Sequence, residues 1–151
     1  MNEKIQTLLS FDFGTHKIGV AVGQTLTKTA RPLCILKAEQ GEPNWKEVQT
    51  LIEEWTPSFF IVGLPLNQDD SDSEMSGYAR IFADKLTTLF SKQHFFMDEK
   101  LSSFAVKQYR KEFKIDQQPN RKKQQKYKKS DRAFDDESAA LILQSWFNTH
   151  S

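Results

Sequence analysis

With 151 residues, of which 38% are hydrophobic, the chain is predicted to fold as one domain over residues 1–151 around a packed core. Cys34 is the one cysteine, which excludes an intrachain disulfide, and no apolar stretch is long enough for a signal peptide or a membrane span, so we expect a cytoplasmic protein with no membrane partner. The net charge of +1 conceals an uneven distribution, because residues 107–132 hold 11 Lys and Arg against three acids while the rest of the chain holds 10 basic and 17 acidic residues.

Three strands and a helix are predicted in the first third of the chain. Residues 8–13, 17–22 and 31–38 are rich in β-branched and aromatic side chains and are punctuated by Gly and Pro, as strands are. The short turn between the first two strands is typical of an antiparallel hairpin. In residues 44–55 the apolar side chains recur at helical spacing, and Pro57 cannot continue that helix.

The middle of the chain is predicted to continue as strand, helix and strand. Residues 59–64 form a continuous apolar run, which is typical of a strand buried on both faces. A polar loop at 67–76 leads into a helix whose apolar stripe runs from Tyr78 to Leu89. Residues 94–97 then form another short strand.

A basic loop is predicted between two final helices. Apolar side chains from Phe104 to Phe113 predict the first of these helices, and those of residues 135–147 form the strong apolar face of the second. At about residues 114–132 the periodicity is lost and Lys and Arg dominate, which indicates a flexible loop. Such a charge run is typical of a segment that contacts a polyanion, and the alternative is a solvated loop without a partner.

The order of these elements predicts an α/β fold. The opening strands form an antiparallel meander, whereas the later strands, which are joined by helices, must be parallel. We therefore expect a mixed five-stranded sheet flanked by helices, with no second core.

Three carboxylates are predicted to meet at one edge of this sheet. Asp12 ends the first strand and Glu99 follows the last one, and ligand sites in open α/β sheets lie beyond the carboxyl ends of strands. Asp135 opens the final helix, whose apolar face must pack on the sheet. Carboxylate oxygens suit Mg²⁺, and a pair of such ions promotes phosphodiester hydrolysis. Taken singly, each acid also has a structural explanation as a turn, strand-end or N-cap residue.

Five segments along nearly the whole chain resemble the motifs of the YqgF (RuvX-type) family. In chain order they are "FDFGTHKIGVAVG", "TARPL", "IVGLPLN", "DEKLSS" and "FDDESAALILQSWF". Each segment alone is weakly specific, but five in the right order make a specific match. The family is similar in fold to ribonuclease H and to Holliday junction resolvases, so the resemblance implies a ribonuclease H-like sheet.

The resemblance also implies a function. It implies a nuclease that matures the 5′ end of precursor 16S ribosomal RNA and depends on Mg²⁺ or Mn²⁺. The family's catalytic, metal-binding acids correspond to Asp12, Glu99 and Asp135, with Asp136 as the adjacent alternative to Asp135. The expected partners are precursor rRNA or DNA junctions and ribosomal particles, for a chain that is a monomer or a weak homodimer.

Three other functions remain open. A resolvase of four-way DNA junctions would have to be dimeric, because two strands are cut symmetrically. A non-catalytic RNA-binding factor in ribosome assembly would keep the acids as remnants. An ATP phosphate loop at residues 12–15 ranks last, because the chain is short for a two-lobed ATPase.

Further residues are expected to contact nucleic acid. In the family's first motif, a small residue at Gly14 lets a phosphate approach closely. Lys100 stands where the family usually has arginine, which keeps the charge but loses the bidentate phosphate contact. The family's short glycine-containing loop is replaced here by the longer basic segment, which favours salt-dependent phosphate binding, and Tyr127 within it is a candidate for stacking on an unpaired base. The full expected set is Gly14, Thr15, Lys17, Arg80, Lys100, Arg121, Lys122, Lys123, Lys126, Lys128 and Lys129.

Overall fold

The fold is built on one mixed sheet. The computed structural model describes residues 5–99 and 132–150, and in the second range it describes the side chains from Glu137 onward. The order of the strands across the sheet is β4-β3-β2-β1-β5-β6. The strands are β1 (Thr7–Asp12), β2 (Lys17–Gln24), β3 (Thr29–Glu39), β4 (Glu42–Pro43), β5 (Phe59–Leu64) and β6 (His94–Asp98).

Strand direction changes at β1. The first four strands pair antiparallel in succession, and β1 pairs parallel with β5, which in turn pairs parallel with β6. The parallel strands need crossover connections, and helices supply at least one of them. The described helices are α1 (Trp45–Trp55), α2 (Glu74–Phe90) and α3 (Arg132–Thr149).

The first two helices have well-defined ends. The side chain of Asn44 accepts a hydrogen bond from the Lys46 N–H at the start of α1, and Ser73 accepts one from the Ser76 N–H at the start of α2. These bonds satisfy N–H groups that the first turn of a helix leaves without intrahelical partners. Thr56 and Ser91, both in the left-handed region, end the two helices.

The single sheet has apolar packing on both of its faces. On one face, Phe11 and Val62 pack with Val48 of α1 and Phe82 of α2. On the other face, side chains of α3 pack against the sheet in a smaller cluster. Its buried members are Leu8, Ile61, Met97, Ile142, Leu143 and Phe147. Side chains of a strand alternate between faces, so this division assigns each strand residue to one of the two helical layers.

The predicted α/β class with a mixed sheet is confirmed, and β4 is an addition to the five expected strands. Side-chain contacts hold this two-residue strand in place: Glu42 accepts a hydrogen bond from the Trp45 indole at 3.0 Å and pairs with Lys85 of α2. The Lys85 ammonium, and then the Trp45 hydrogen bond, lower the pKa of Glu42.

Some predicted elements cannot be compared with the structure. The helix expected from Phe104 to Phe113 and most of the basic loop at about 114–132 lie outside the described residues. In the described part of the chain, no helix is both long and apolar enough to cross a membrane.

Candidate active site at the carboxyl edge of the sheet

The carboxyl ends of β1, β5 and β6 lie at one edge of the sheet, because these three strands are parallel. Phe11 is opposite Val62 in the register of β1 and β5, and Leu64 is opposite Asp98 in that of β5 and β6. Asp12, the last residue of β1, and Glu99, the first residue after β6, therefore reach the same edge with β5 between them.

Both acids face α3. The Ser10 hydroxyl donates a hydrogen bond to the Ala139 carbonyl of α3 at 2.8 Å, so Ser10 lies on the α3 face. Asp12 follows two residues later and shares that face, because strand side chains alternate. The Glu99 carboxylate lies above Gly63 of β5, beside Ile142 of α3.

Asp12 and Glu99 form a close, interacting pair. Burial raises the pKa of Glu99 to about 8, and the charge of Asp12, a hydrogen bond between the two side chains and the charge of Asp98 act in the same direction. Two adjacent carboxylates cannot both ionise cheaply in a buried place, so without a cation the pair retains a proton near neutral pH.

The backbone of α3 brings residue 135 toward this pair. Phe147 lies over Gly23, and Ala139 packs with Ala21, so the helix rises along β2 toward Gly19, the partner of Asp12. Residue 135 is one turn, or about 6 Å, further along the axis in that direction. The side chains of Asp135 and Asp136 lie outside the described set, so the choice between these two acids stays a prediction.

The donor set of the pair suits a hard divalent cation. Two carboxyl groups side by side supply oxygen ligands of the kind that Mg²⁺ and Mn²⁺ bind, and a cation would replace the shared proton as the compensating charge. Among the side chains that the structure describes there is no cluster of three metal-binding residues. A site of three carboxylates would therefore need a ligand whose side chain lies outside the described set, as predicted for Asp135.

Gly63 is a site residue that the sequence analysis did not single out. A Cβ atom at this position would lie 2.8 Å from Glu99 Oε2 and 2.6 Å from Ile142 Cδ1, closer than a Cβ tolerates. A glycine within an otherwise apolar strand was the available signal, since such a glycine often marks a close approach.

The β1–β2 turn carries three of the predicted nucleic-acid-binding residues. Gly14 and Thr15 lie in the turn after Asp12 and Lys17 is the first residue of β2, so all three lie at the same edge of the sheet. A Cβ at Gly14 would lie 2.5 Å from the Lys17 carbonyl oxygen, so closure of the turn itself requires the glycine. Lys17 is exposed and stands opposite Lys37 of β3.

Arg80 lies in the other helical layer. Its guanidinium pairs with Asp72 at 3.0 Å and packs over the Phe96 ring at 5.2 Å. Phe96 alternates with Met97, which packs under α3, so Phe96 points away from α3. The structure thus does not bring Arg80 to the acidic pair. The remaining predicted residues lie outside the described part of the chain: Lys100, Arg121, Lys122, Lys123, Lys126, Lys128 and Lys129.

Comparison with known proteins gives concordant results. The family model described as "RuvX: Holliday junction resolvase" matches residues 6–149. A protein of Pseudomonas paraeruginosa named "Putative pre-16S rRNA nuclease" is 42% identical, with 99% of this chain and 96% of that protein covered. A protein of the same name from Pseudomonas syringae pv. tomato is 43% identical, with 97% and 94% covered.

A solved structure agrees in fold. The resolvase of fowlpox virus, determined with a Holliday junction DNA, superposes with a TM-score of 0.50 and 16% identity, covering 95% of this chain and 97% of the viral protein. At this identity the likeness concerns the ribonuclease H-like fold alone. The chain belongs to the RuvX family, as its five sequence motifs predicted.

Proposed function

We propose that this protein is a divalent-metal-dependent nuclease that hydrolyses phosphodiester bonds in precursor 16S ribosomal RNA, at the 5′ end. One observation carries the proposal: Asp12 and Glu99 come from separate parallel strands and share a hydrogen bond at the carboxyl edge of the sheet. A half-buried pair of carboxyl groups that share a proton is unfavourable for stability, and carboxyl groups with strongly shifted pKa values are concentrated at functional sites.

In this mechanism Asp12 and Glu99 hold the metal, with Asp135 as the third ligand. Bound Mg²⁺ or Mn²⁺ would supply activated water and stabilise charge on the phosphate oxygens. Glu99 has to release its proton before it can serve as a ligand, and until then its hydrogen bond with Asp12 holds the two carboxyl groups side by side. Hydrolysis should leave a 5′ phosphate and a 3′ hydroxyl.

The choice of substrate is supported by the relatives and by charge. The relatives that are 42% and 43% identical are named for precursor 16S rRNA. The basic residues of 107–132 would bind the RNA backbone. Such binding is expected of a cytoplasmic protein that contacts ribosomal particles. The family model, described by its action on Holliday junctions, favours a DNA junction as the second candidate substrate.

Cleavage of labelled RNA spanning the 5′ end of 16S tests the proposal. Wild type, Asp12→Asn and Asp84→Asn are compared with Mg²⁺, with Mn²⁺ and with EDTA, and a four-way DNA junction serves as the second substrate. Asp84 is the matched control, because its side chain is 77% exposed on α2. We expect Asp12→Asn to lose at least about 100-fold in rate, which corresponds to about 2.7 kcal/mol, and Asp84→Asn to lose none.

Four other results would contradict the proposal. Metal-independent cutting, or cutting that survives in Asp12→Asn, would remove Asp12 from the chemistry. Cleavage of the junction in place of the RNA would identify a resolvase. Salt-sensitive RNA binding without any cut product would identify a non-catalytic assembly factor.

A further inference from the structure

We propose that Gly63 is a positioning residue of the acidic site: its lack of a side chain lets the Glu99 carboxylate cross β5 and meet Asp12. The inference rests on the proposed function in one respect only, namely that the pair binds a metal ion. The position of Glu99 itself can be tested without any metal.

The sheet order makes the crossing necessary. Strand β5 separates β1 from β6, and adjacent strands lie about 5 Å apart, so the backbones that carry Asp12 and Glu99 are about 10 Å apart. Glu99 bridges this distance on the α3 face, passing above Gly63. A Cβ at Gly63 would lie 2.8 Å from Oε2 and 3.2 Å from Cγ of Glu99, so any side chain there occupies the path.

The requirement at Gly63 is for space and not for backbone conformation. Gly63 is outside the positive-φ region, so alanine can adopt its backbone angles without strain. Replacing a strand glycine by alanine would ordinarily stabilise a protein, because the unfolded chain loses conformational freedom. The cost of a side chain at this position must therefore come from what it would displace.

Packing against α3 is the competing explanation. The Cβ of an alanine at 63 would also lie 2.6 Å from Ile142 Cδ1, so Gly63 could serve only to let the helix approach the sheet. Valine at position 142 lacks the Cδ1 atom. The double change Gly63→Ala with Ile142→Val therefore relieves the contact with the helix and leaves the contact with Glu99.

Gly23 provides a second control. A Cβ at Gly23 would lie 2.7 Å from the Thr29 carbonyl oxygen of β3, 2.8 Å from Phe147 Cε2 and 2.9 Å from Leu143 Cδ2, so alanine there disturbs the same helix and also β3. Gly23 is opposite Leu8, far from Asp12 along the hairpin. Gly23→Ala thus measures how far a displacement of α3 weakens Mn²⁺ binding when the contact between Gly63 and Glu99 is unchanged.

The experiment measures Mn²⁺ binding by electron paramagnetic resonance and stability by thermal unfolding. The proteins compared are wild type, Ile142→Val, the Gly63→Ala/Ile142→Val double variant, Gly63→Ala and Gly23→Ala. The two single glycine variants are measured at low temperature. We expect the double variant to unfold at the temperature of Ile142→Val but to bind Mn²⁺ at least about 10-fold more weakly, the scale seen when groups that orient metal ligands are lost. Gly63→Ala should weaken Mn²⁺ binding more than Gly23→Ala, because it displaces Glu99 as well as α3.

Equal Mn²⁺ affinity in Ile142→Val and the double variant would overturn the inference and leave the proposed function standing. A crystal structure of the double variant gives a readout without metal, with the Glu99 carboxyl expected to have moved away from Asp12. An unmoved Glu99 would overturn the inference on its own. Absence of Mn²⁺ binding to the wild type would instead refute the proposed metal site, whatever the position of Glu99.

Discussion

At the scale of single residues, the proposed chemistry would depend on two acids that the fold holds close together. Glu99 keeps its proton because burial and the Asp12 charge both penalise its ionised form. A metal ion would remove that penalty by supplying positive charge between the carboxylates. The site is thus unfavourable for the metal-free protein and suited to a divalent cation.

This arrangement predicts how stability depends on pH without metal. The native state binds the Glu99 proton up to about pH 8, whereas the unfolded chain releases it near 4.5, so native stability falls as pH rises between these values. Glu99→Gln cannot ionise, so in EDTA it should be more stable than wild type at pH 8, with a smaller gain at pH 5. Urea unfolding at the two pH values measures this difference. Glu54→Gln, an exposed change on α1, is the control, and an equal gain at both pH values would contradict the prediction.

At the scale of elements, the packing of α3 on the sheet sets the position of the start of that helix. Small residues line the contact: Ser10 and Ala21 of the sheet face Ala139 of the helix, and Gly23 faces Leu143 and Phe147. Small side chains let the helix backbone lie close, and the hydrogen bond from Ser10 to the Ala139 carbonyl sets its position along the strand. The next turn of α3 toward its start carries residue 135.

Removing this hydrogen bond should cost stability. Ser10 is fully buried, so Ser10→Ala is expected to lower the free energy of unfolding by about 1 kcal/mol and the melting temperature by about 3 °C. Thr50 makes the same type of bond, hydroxyl to helix carbonyl, at an exposed site on α1. Thr50→Ala should change stability by less than about 0.5 kcal/mol. Thermal unfolding of both variants gives the comparison, and equal losses would argue against Ser10 as a tie between strand and helix.

At the scale of the whole molecule, charge is divided between two parts of the chain. Outside residues 107–132 the acids outnumber the bases by 17 to 10, so this part repels a nucleic acid on average. If the protein binds RNA as proposed, the basic segment would have to supply most of the attraction, and a metal ion at the acidic pair would supply the rest locally.

The salt dependence of RNA binding tests this division. Each phosphate contact to single-stranded RNA contributes about 0.7 to the slope of log affinity against log salt concentration, so Lys122→Gln with Lys123→Gln should reduce the slope by about 1.4. Lys28→Gln with Lys92→Gln removes the same charge from the end of the sheet that lies away from the acidic pair, and it should leave the slope unchanged. Fluorescence anisotropy at several salt concentrations measures both variants. A slope that changes equally in the two would refute a dedicated basic segment.

Local patterns determined most of the elements. Strand β5 begins and ends where its apolar run does, at Phe59 and Leu64, because a strand buried on both faces has no polar positions inside it. Strand β4, Glu42–Pro43, escaped prediction because two residues show no periodicity, and it exists only by pairing with the end of β3 and through contacts of Glu42. The fold class followed from element order, since helix crossovers require parallel strands.

The sequence by itself determined which acids end strands, because Asp12 and Glu99 each follow an apolar run, and the five motifs identified the family. Only the tertiary structure decided that Glu99 crosses β5 above Gly63, that it holds a proton beside Asp12, and that Arg80 is paired with Asp72 in the other layer. The physical reason is the range over which the interactions act along the chain. Periodicity and turn chemistry act over a few neighbouring residues, whereas burial, the pKa of a carboxyl group and space for a side chain depend on groups that lie far apart in the chain and meet only when the sheet has formed.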